Sequence, residues 1–248
     1  MSNVEADEID ILGVSVASVT IESAAEILLE KTTENEKYFV FTPNPEMVDR
    51  SLRDKRFCRL LHQADLLVAD GVGLLWASRI LSTPLPGTVP GVDLMNHMLD
   101  VCADKDLSVY FLGTTENNVR QAAEKAEANY PGLTVAGYHH GFFTDETADT
   151  VIDELHKCCP NVVVTGMGVP KEQEFLISNS DSLPAGVYLG VGGGLDVLAG
   201  AVKRAPFLVR RLGLEWLYML FASPRRWRRQ TALIRFALAV LQCRLTRS

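Results

Sequence analysis

Short apolar runs and longer amphipathic segments alternate along most of the chain. The apolar runs are rich in β-branched and aromatic side chains, which is typical of strands. They are Ile9–Val16, Tyr38–Phe41, Leu66–Ala69, Leu107–Leu112, Leu133–Ala136, Val162–Thr165 and Gly186–Gly190. Helical spacing of apolar residues follows in Ser23–Lys31, Glu46–Leu61, Thr115–Tyr130 and Thr144–Lys157. Because several strands are apolar throughout, the pattern predicts an α/β fold, Rossmann-like, with a mainly parallel sheet and helices on both faces.

A basic amphipathic helix is predicted near the C-terminus, beginning at Pro224. At about 100° per residue, one line along it carries Trp227, Thr231, Ile234, Leu238, Leu241 and Leu245. At least about 80° from that line lie Arg225, Arg226, Arg228, Arg229, Arg235, Arg244 and Arg247. The pattern is imperfect, because Leu233, Phe236 and Val240 fall on the arginine side. It favours contact with an anionic membrane surface. The alternative is a terminal helix that docks on its own domain or on a partner subunit, as in a homo-oligomer.

The charge of the chain changes where this appendage begins. From Lys203 to Ser248 there are 11 Lys and Arg against one acid, Glu215, a local charge of +10. The preceding residues carry 13 bases and 30 acids, a charge of −17. We therefore expect a Rossmann-like domain over 1–202 and a basic helical appendage over 203–248. The net charge of −7 argues against nucleic-acid binding, while the basic appendage suggests an anionic partner.

The cysteines and the N-terminus point to a reducing compartment. Five cysteines without metal-like spacing, two of them the adjacent Cys158 and Cys159, are expected to be free thiols. The first ten residues hold four acids and no basic-plus-apolar signal segment. No apolar stretch approaches the ~18 residues that a spanning helix requires. We therefore expect a cytoplasmic protein, soluble or peripheral at the membrane.

Polar residues follow two of the predicted strands. Thr42 and Asn44 come directly after the second strand, and Asp70 ends the third. Ligands of open parallel sheets bind outside the carboxyl ends of the strands, so these side chains are candidates for contact with sugar hydroxyls. A half-buried Asp70 would suit a general base. The alternative is that all three residues only cap the helices that follow.

Two glycine-rich turns follow later strands. They contain Gly166 and Gly168 in one turn and Gly192 and Gly193 in the other, with Asp196 two residues beyond Gly194. Backbone N–H groups at such turns can bind a diphosphate, and Asp196 could hydrogen-bond a base or ribose. Ordinary tight turns and a helix-start aspartate are the alternatives. No histidine cluster or Asp-x-Asp motif appears, so we expect no metal and no cofactor beyond the nucleotide of a donor substrate.

Taken together, the motifs resemble the WecG/TagA/CpsF glycosyltransferase family over nearly the whole chain. Any one of them is common, but their order and spacing are specific. They are Thr42-Pro43-Asn44, Ala69-Asp70-Gly71-Val72-Gly73, Pro90-Gly91-Val92-Asp93-Leu94, Gly141-Phe142-Phe143, Gly166-Met167-Gly168-Val169-Pro170-Lys171, Gly190-Val191-Gly192-Gly193, Arg204-Ala205-Pro206 and Leu214-Glu215-Trp216-Leu217-Tyr218.

The resemblance implies a metal-independent, inverting enzyme at the cytoplasmic face of the membrane. Such enzymes transfer N-acetylmannosamine, its uronic acid or glucose from a UDP donor to a polyprenyl-diphosphate-linked saccharide, in cell-envelope or exopolysaccharide synthesis. Asp70 matches the general base, Thr42 and Asn44 the polar pocket, and Asp196 a residue near the uracil. Phe142 stands where the family often has Tyr and would stack on the base. The appendage residues Arg204, Arg210, Arg211 and Arg225 match the part that closes over the diphosphate.

Three positions depart from the family pattern. Thr88 and Met219 stand where the family commonly has Arg, and Glu172 stands where it has Gln. Loss of a guanidinium removes a planar, permanently charged anion ligand, whereas Glu172 adds an anion. We keep Glu172 among the catalytic candidates with Asp70, Asn44 and Thr42.

Two other function classes compete with the transferase. A catalytically weak nucleotide-sugar-binding or scaffold subunit of a polysaccharide assembly complex is favoured by the three departures and opposed by Asp70 and Asn44. A nicotinamide-dependent oxidoreductase would need Gly-x-Gly-x-x-Gly after the first strand, where only Gly13 is present.

Overall fold

The computed structural model describes residues 6–206, 209 and 227–246. Six parallel strands form the central sheet in the order β4-β3-β8-β7-β5-β6, and a two-stranded antiparallel hairpin, β1-β2, precedes it. The strands are β1 Glu8–Ile11, β2 Val14–Ala17, β3 Lys37–Phe41, β4 Leu66–Leu67, β5 Ser108–Gly113, β6 Thr134–His139, β7 Val162–Gly166 and β8 Gly186–Gly190. The predicted parallel α/β sheet is therefore confirmed.

Ten α-helices surround the sheet in the described part of the chain. They are α1 Ile21–Lys31, α2 Pro45–Arg53, α3 Lys55–Leu61, α4 Val72–Ile80, α5 Gly91–Asp104, α6 Glu116–Asn129, α7 Ala148–Cys158, α8 Lys171–Ser178, α9 Gly194–Leu198 and α10 Trp227–Thr246. A single 3-10 turn, Asp145–Thr147, precedes α7.

Each central strand contributes side chains to two separate cores, as the alternation of a strand requires. In β3, Phe39 and Phe41 belong to one core and Val40 to the other. In β5, Tyr110 belongs to the first core and Phe111 to the second. The first core takes residues from α2, α3, α4, α7, α8 and α10, and the second from α1, α5, α6 and α9. Both faces of the sheet are thus covered by helices.

Two elements predicted as continuous are broken by a local polar residue. Within Ile9–Val16, Leu12 and Gly13 both have positive φ, and the Asp10 carboxylate accepts the Gly13 N–H at 2.9 Å, so the strand turns into the β1-β2 hairpin. Within Glu46–Leu61, Asp54 is extended and its carboxylate caps α3 by accepting the Arg56 and Phe57 N–H groups. The predictions of one strand and one helix in these places are therefore wrong.

Helix α10 docks on the body of the protein through apolar residues that lie on the arginine side of the predicted helix. Phe236 and Val240 are buried in the first core, and α10 packs on α2 and α4. The opposite side carries Leu238, which is 61% exposed, together with the exposed Ile234, Leu241 and Leu245. The docking alternative thus holds for one side of the helix, and the predicted apolar stripe lies on the other.

An ion pair fixes this docking. The Arg235 guanidinium donates to both carboxylate oxygens of buried Asp49 in α2, with Nε–Oδ1 2.9 Å and Nη2–Oδ2 2.7 Å. Arg53 donates to the same carboxylate at 2.6 Å. These hydrogen bonds, that from Arg235 first, hold the pKa of Asp49 below its usual range. The contribution of the pair to stability is present at neutral pH and is lost as the pH falls through the depressed pKa of Asp49.

No helix within the described ranges has the length and apolar character needed to cross a bilayer. The appendage residues Arg210, Arg211, Met219, Leu214–Tyr218 and Arg225 lie outside the described residues, as does the side chain of Trp227. The division of the chain at residues 202 and 203 stays a prediction.

The two sides of α10 should respond differently to truncation. Phe236→Ala removes a ring that is 3% exposed, and we expect it to lower the free energy of unfolding by about 3 kcal/mol. Leu238→Ala, on the exposed side of the same helix, should change it by less than about 0.5 kcal/mol. Urea denaturation of both variants at pH 7 measures the difference. Equal effects would contradict the docking of α10 through Phe236.

Candidate active site

The carboxyl ends of the six parallel strands lie along one edge of the sheet. The candidates of the Rossmann-like domain lie in the loops after these ends or, for Glu172 and Asp196, in the first turn of the helix that follows. Thr42 and Asn44 follow β3, Asp70 follows β4, and Phe142 follows β6. The glycine turns follow β7 and β8. Since β4, β3, β8 and β7 are consecutive neighbours in the sheet, the residues predicted from separate motifs form one row.

The loops after β3 and β4 are packed tightly together. The Asp70 N–H donates to the Pro43 carbonyl at 2.8 Å. A Cβ on Gly73 would collide with the ring of Pro45, so only glycine permits this approach. Asp70 itself is half-buried. A carboxylate is thereby held directly beside the Thr42-Pro43-Asn44 loop.

The side chains of Thr42 and Asn44 use their oxygens to organise this loop. The Asn44 side-chain carbonyl accepts the N–H groups of Glu46 at 3.0 Å and Met47 at 3.1 Å, so Asn44 is the N-cap of α2. Buried Thr42 donates its hydroxyl to the Gly190 carbonyl at 3.1 Å. The capping alternative is therefore correct for the Asn44 oxygen, whose amide nitrogen has no partner among the described residues.

Glu172 lies beneath both glycine turns. It is 2% exposed, and its Oε2 accepts the Met167 N–H at 3.3 Å. The Gly192 N–H and the Thr165 hydroxyl also donate to its carboxyl group. Burial raises the pKa of Glu172 to about 8 in spite of these three donors. The carboxyl group therefore joins the turn after β7 to the turn after β8 from the inside of the protein.

This arrangement divides the glycine-turn amides into two groups. The N–H groups of Met167 and Gly192 point inward to Glu172. The N–H groups of Gly168 and Gly193 have no hydrogen-bond partner among residues 6–206, 209 and 227–246. A Cβ at either glycine would meet no atom within 4 Å, so the space beside both turns is open. Gly168 and Gly193 can therefore present amide donors to a ligand at these turns.

Asp196 forms a polar network with residues that the sequence did not single out. Its Oδ1 accepts the Thr114 hydroxyl, and it accepts the Asn118 amide at 2.9 Å. Thr114 follows β5 and has a φ of 44°, a strained value for a residue other than glycine. No motif in the sequence marks Thr114, because the strain comes from the packing of the β5, β6 and β7 ends. Its N–H donates to Gly166 O and its carbonyl accepts the Gly141 N–H, both at 2.9 Å.

Phe142 stands at a cavity beside this network. Its ring is 73% exposed. The cavity has a volume of about 480 Å³, and it is lined by His139, His140, Phe142, Phe143, Thr144, Thr147 and Thr150. Because the Gly141 N–H is bonded to Thr114, the loop of Phe142 adjoins the Asp196 network. An exposed ring next to hydroxyl groups is suited to stacking on a nucleobase.

Arg204 is placed differently from the other candidates. Its guanidinium forms a two-point ion pair with Asp93 in the first turn of α5, with Nη2–Oδ2 2.7 Å. A bound diphosphate would share Arg204 with this carboxylate. The described residues bring no three metal-ligating side chains together, and Arg210 and Arg225 lie outside them.

Comparison with known proteins identifies the family of the chain. Residues 9–248 match the model of the Glycosyl transferase WecG/TagA/CpsF family. Similar proteins include N-acetylglucosaminyldiphosphoundecaprenol N-acetyl-beta-D-mannosaminyltransferases of two bacteria. That of Staphylococcus aureus strain NCTC 8325 is 34% identical over 88% of this chain and 86% of its own length. That of Bacillus spizizenii strain W23 is 32% identical over 84% of this chain and 80% of its own length. The chain therefore belongs to the WecG/TagA/CpsF family, and it is a glycosyltransferase.

Proposed function

We propose that the enzyme transfers a sugar from a UDP donor to a polyprenyl-diphosphate-linked saccharide in cell-envelope or exopolysaccharide synthesis. The names of the bacterial relatives favour N-acetylmannosamine as the sugar and a GlcNAc-diphosphate lipid as the acceptor. The observation that carries the proposal is the row of strand ends. It places the carboxylate of Asp70 and the amide of Asn44 at one end and the open glycine turns, Asp196 and Phe142 at the other.

The proposed reaction is a direct displacement with inversion. Asp70 takes the proton of the attacking acceptor hydroxyl, whose oxygen forms a bond with the anomeric carbon. The bond between that carbon and the β-phosphate oxygen breaks, and UDP leaves with the electron pair. The Asn44 amide and the Thr42 backbone orient the sugar beside Asp70. Glu172 acts from below through the glycine turns, because its buried carboxyl group does not reach the open space.

The leaving diphosphate acquires negative charge, which needs donors in place before the reaction. The amides of Gly168 and Gly193, which have no partner in the described part of the chain, supply two of them. We assign further charge to Arg204, Arg210 and Arg225, without a metal ion. We also assign the uracil to the space between Phe142 and Asp196, since Thr114 is bonded both to Asp196 and to Gly141, the neighbour of Phe142.

The second surface of the enzyme is the outer side of α10. The exposed Ile234, Leu238, Leu241 and Leu245 support contact with lipid. The appendage charge of +10 supports attraction to anionic headgroups. Because the acceptor is attached to a membrane lipid, we place the enzyme at the cytoplasmic face of the membrane, where nucleotide sugars are available.

Removal of the proposed base should abolish transfer and leave nucleotide binding intact. Asp70→Asn keeps the shape of the side chain and removes its basicity, which typically costs ~10²–10⁴-fold in rate. The assay is transfer from a panel of radiolabelled UDP-sugars to a lipid-diphosphate-GlcNAc acceptor. Asp181→Asn, an exposed change before β8 at the opposite edge of the sheet, is the matched control. Turnover above about a tenth of wild type in Asp70→Asn would exclude Asp70 as the base. A wild-type protein that binds UDP-sugars but transfers none would favour the scaffold subunit.

UDP should bind with no divalent metal present. Arginine and backbone N–H groups would supply the charge that Mg²⁺ supplies elsewhere. Calorimetric titration with UDP in EDTA, and again with Mn²⁺, measures this directly. We expect equal affinity under both conditions. Binding that disappears in EDTA and returns with Mn²⁺ would contradict a metal-independent mechanism.

Binding to anionic vesicles should depend on the exposed side of α10. Leu238→Glu should reduce cosedimentation with phosphatidylglycerol vesicles and leave the free energy of unfolding unchanged, because Leu238 has no role in docking. Thr246→Glu adds the same charge to the same helix away from the stripe and is the control. Wild-type binding should weaken as salt screens the arginines, yet persist through the apolar stripe. If the wild-type protein does not cosediment with these vesicles at low salt, the membrane role is ruled out.

A further inference from the structure

Glu172 has an unusual environment for an acidic side chain. It is 2% exposed, and no charged group in the described part of the chain acts on its carboxyl group. Lys171, its neighbour in α8, donates its ammonium group to the carbonyls of Gly141 and Phe143. Glu174 in the same helix lies 3.8 Å from Arg56 of α3. Tyr188 of β8 donates its hydroxyl to Pro184 O. Ionised Glu172 would therefore be a buried charge without a counterion, which is costly.

A second buried group beside Glu172 lacks a hydrogen-bond donor. Gln173 is 1% exposed, and its Oε1 has no partner within the described residues. Its Nε2 is 3.4 Å from Glu172 Oε1. Rotating the Gln173 amide group by half a turn about its Cγ–Cδ bond exchanges the positions of Oε1 and Nε2. The Gln173 oxygen would then face the Glu172 carboxyl group, and a proton on that group would give it the donor that it lacks.

The same carboxyl group is in contact with two strand ends and is linked through Gly190 to a third. It accepts N–H groups from the turns after β7 and β8. Its Oε1 would be 2.6 Å from a Cβ at Gly190, whose carbonyl accepts the Thr42 hydroxyl from the loop after β3. A change at Glu172 thus reaches both glycine turns directly and the Thr42 loop through Gly190.

We propose that Glu172 is a positioning residue that carries a proton at neutral pH, and that this proton keeps the two glycine turns in their ligand-binding arrangement. The protonated carboxyl group accepts from Met167 and Gly192 and donates to the Gln173 oxygen, so neither the Glu172 carboxyl group nor that oxygen lacks a hydrogen-bond partner. When the proton leaves, the anion must gain water or move away from its apolar surroundings. Either response separates the turn after β7 from the turn after β8. The raised pKa of Glu172 places this change on the alkaline side of neutrality.

The first test concerns the proton and needs no nucleotide. Glu172→Gln is neutral at every pH and of the same shape, whereas the folded wild-type protein must lose its proton as the pH rises. A folded-state pKa above the unfolded value makes wild-type stability fall between the two values. The melting temperature of Glu172→Gln minus that of wild type should therefore rise from pH 5 to about pH 8 and then level off. Glu174→Gln, two residues further along α8 and on its partly exposed side, should show no such rise.

A difference between Glu172→Gln and wild type that is constant with pH would overturn the protonated state. Infrared difference spectra of the wild-type protein provide a measurement that needs no variant. A carboxylic acid C=O band present at pH 6 should disappear by pH 9.5. Its absence at pH 6 would also overturn the proposal.

The second test concerns the glycine turns and rests on the proposed binding of UDP. One pH unit above the pKa, about a tenth of Glu172 remains protonated, so the Kd of wild type for UDP should rise about tenfold between pH 7 and pH 9. The Kd of Glu172→Gln should change less than about twofold. Equal losses in both proteins would refute the positioning role. A third outcome separates the two proposals. If neither protein binds UDP at any pH, the proposed donor is wrong. If the difference in melting temperature nevertheless rises with pH as expected, the protonated state of Glu172 is still supported.

Discussion

The parallel direction of all six central strands is the constraint on which the site depends. Parallel strands deliver every carboxyl end to one edge, where loops can carry ligand-binding groups without interrupting the sheet. Asp196 is more than a hundred residues away from Asp70 and Asn44 in sequence, yet the strand order brings the loops beside these residues into one row. The tight contacts at Gly73 and Gly190 then fix the spacing between neighbouring loops. The chemistry of the site is therefore supported by backbone packing as much as by its functional side chains.

Much of the fold was predictable because a strand that is buried on both faces has an almost continuous run of apolar residues in its sequence. Val162–Thr165 and Gly186–Gly190 are almost wholly apolar and completely buried, and both lie in central strands of the sheet. The two wrong elements share a physical cause. Asp10 and Asp54 each use a carboxylate to satisfy nearby backbone N–H groups, and this local bond outweighs the apolar periodicity around it.

The candidate site was predictable to a different extent. Motif order indicated which strand ends carry Asp70, Asn44 and the glycine turns, but the direction in which an amide points depends on packing. The inward donation of Met167 and Gly192 to Glu172 follows from the burial of that carboxyl group, which its charge would not suggest. Thr114 was missed for a related reason, since its strained backbone has no sequence mark. In α10, helical spacing identified the apolar line, whereas the choice of docked side depends on Asp49, far away in the chain.

Helix α2 connects the two working surfaces of the enzyme. Asn44 begins it at the site, and Asp49, little more than one turn later, holds α10. Packed helices have axes about 8–10 Å apart. If the outer side of α10 lies against lipid, as we propose, Asn44 at the start of α2 would stand roughly one helix layer from the headgroups. Such a fixed height would select acceptors by length, since a sugar carried close to its diphosphate reaches Asp70 while one at the end of a long glycan extends past it.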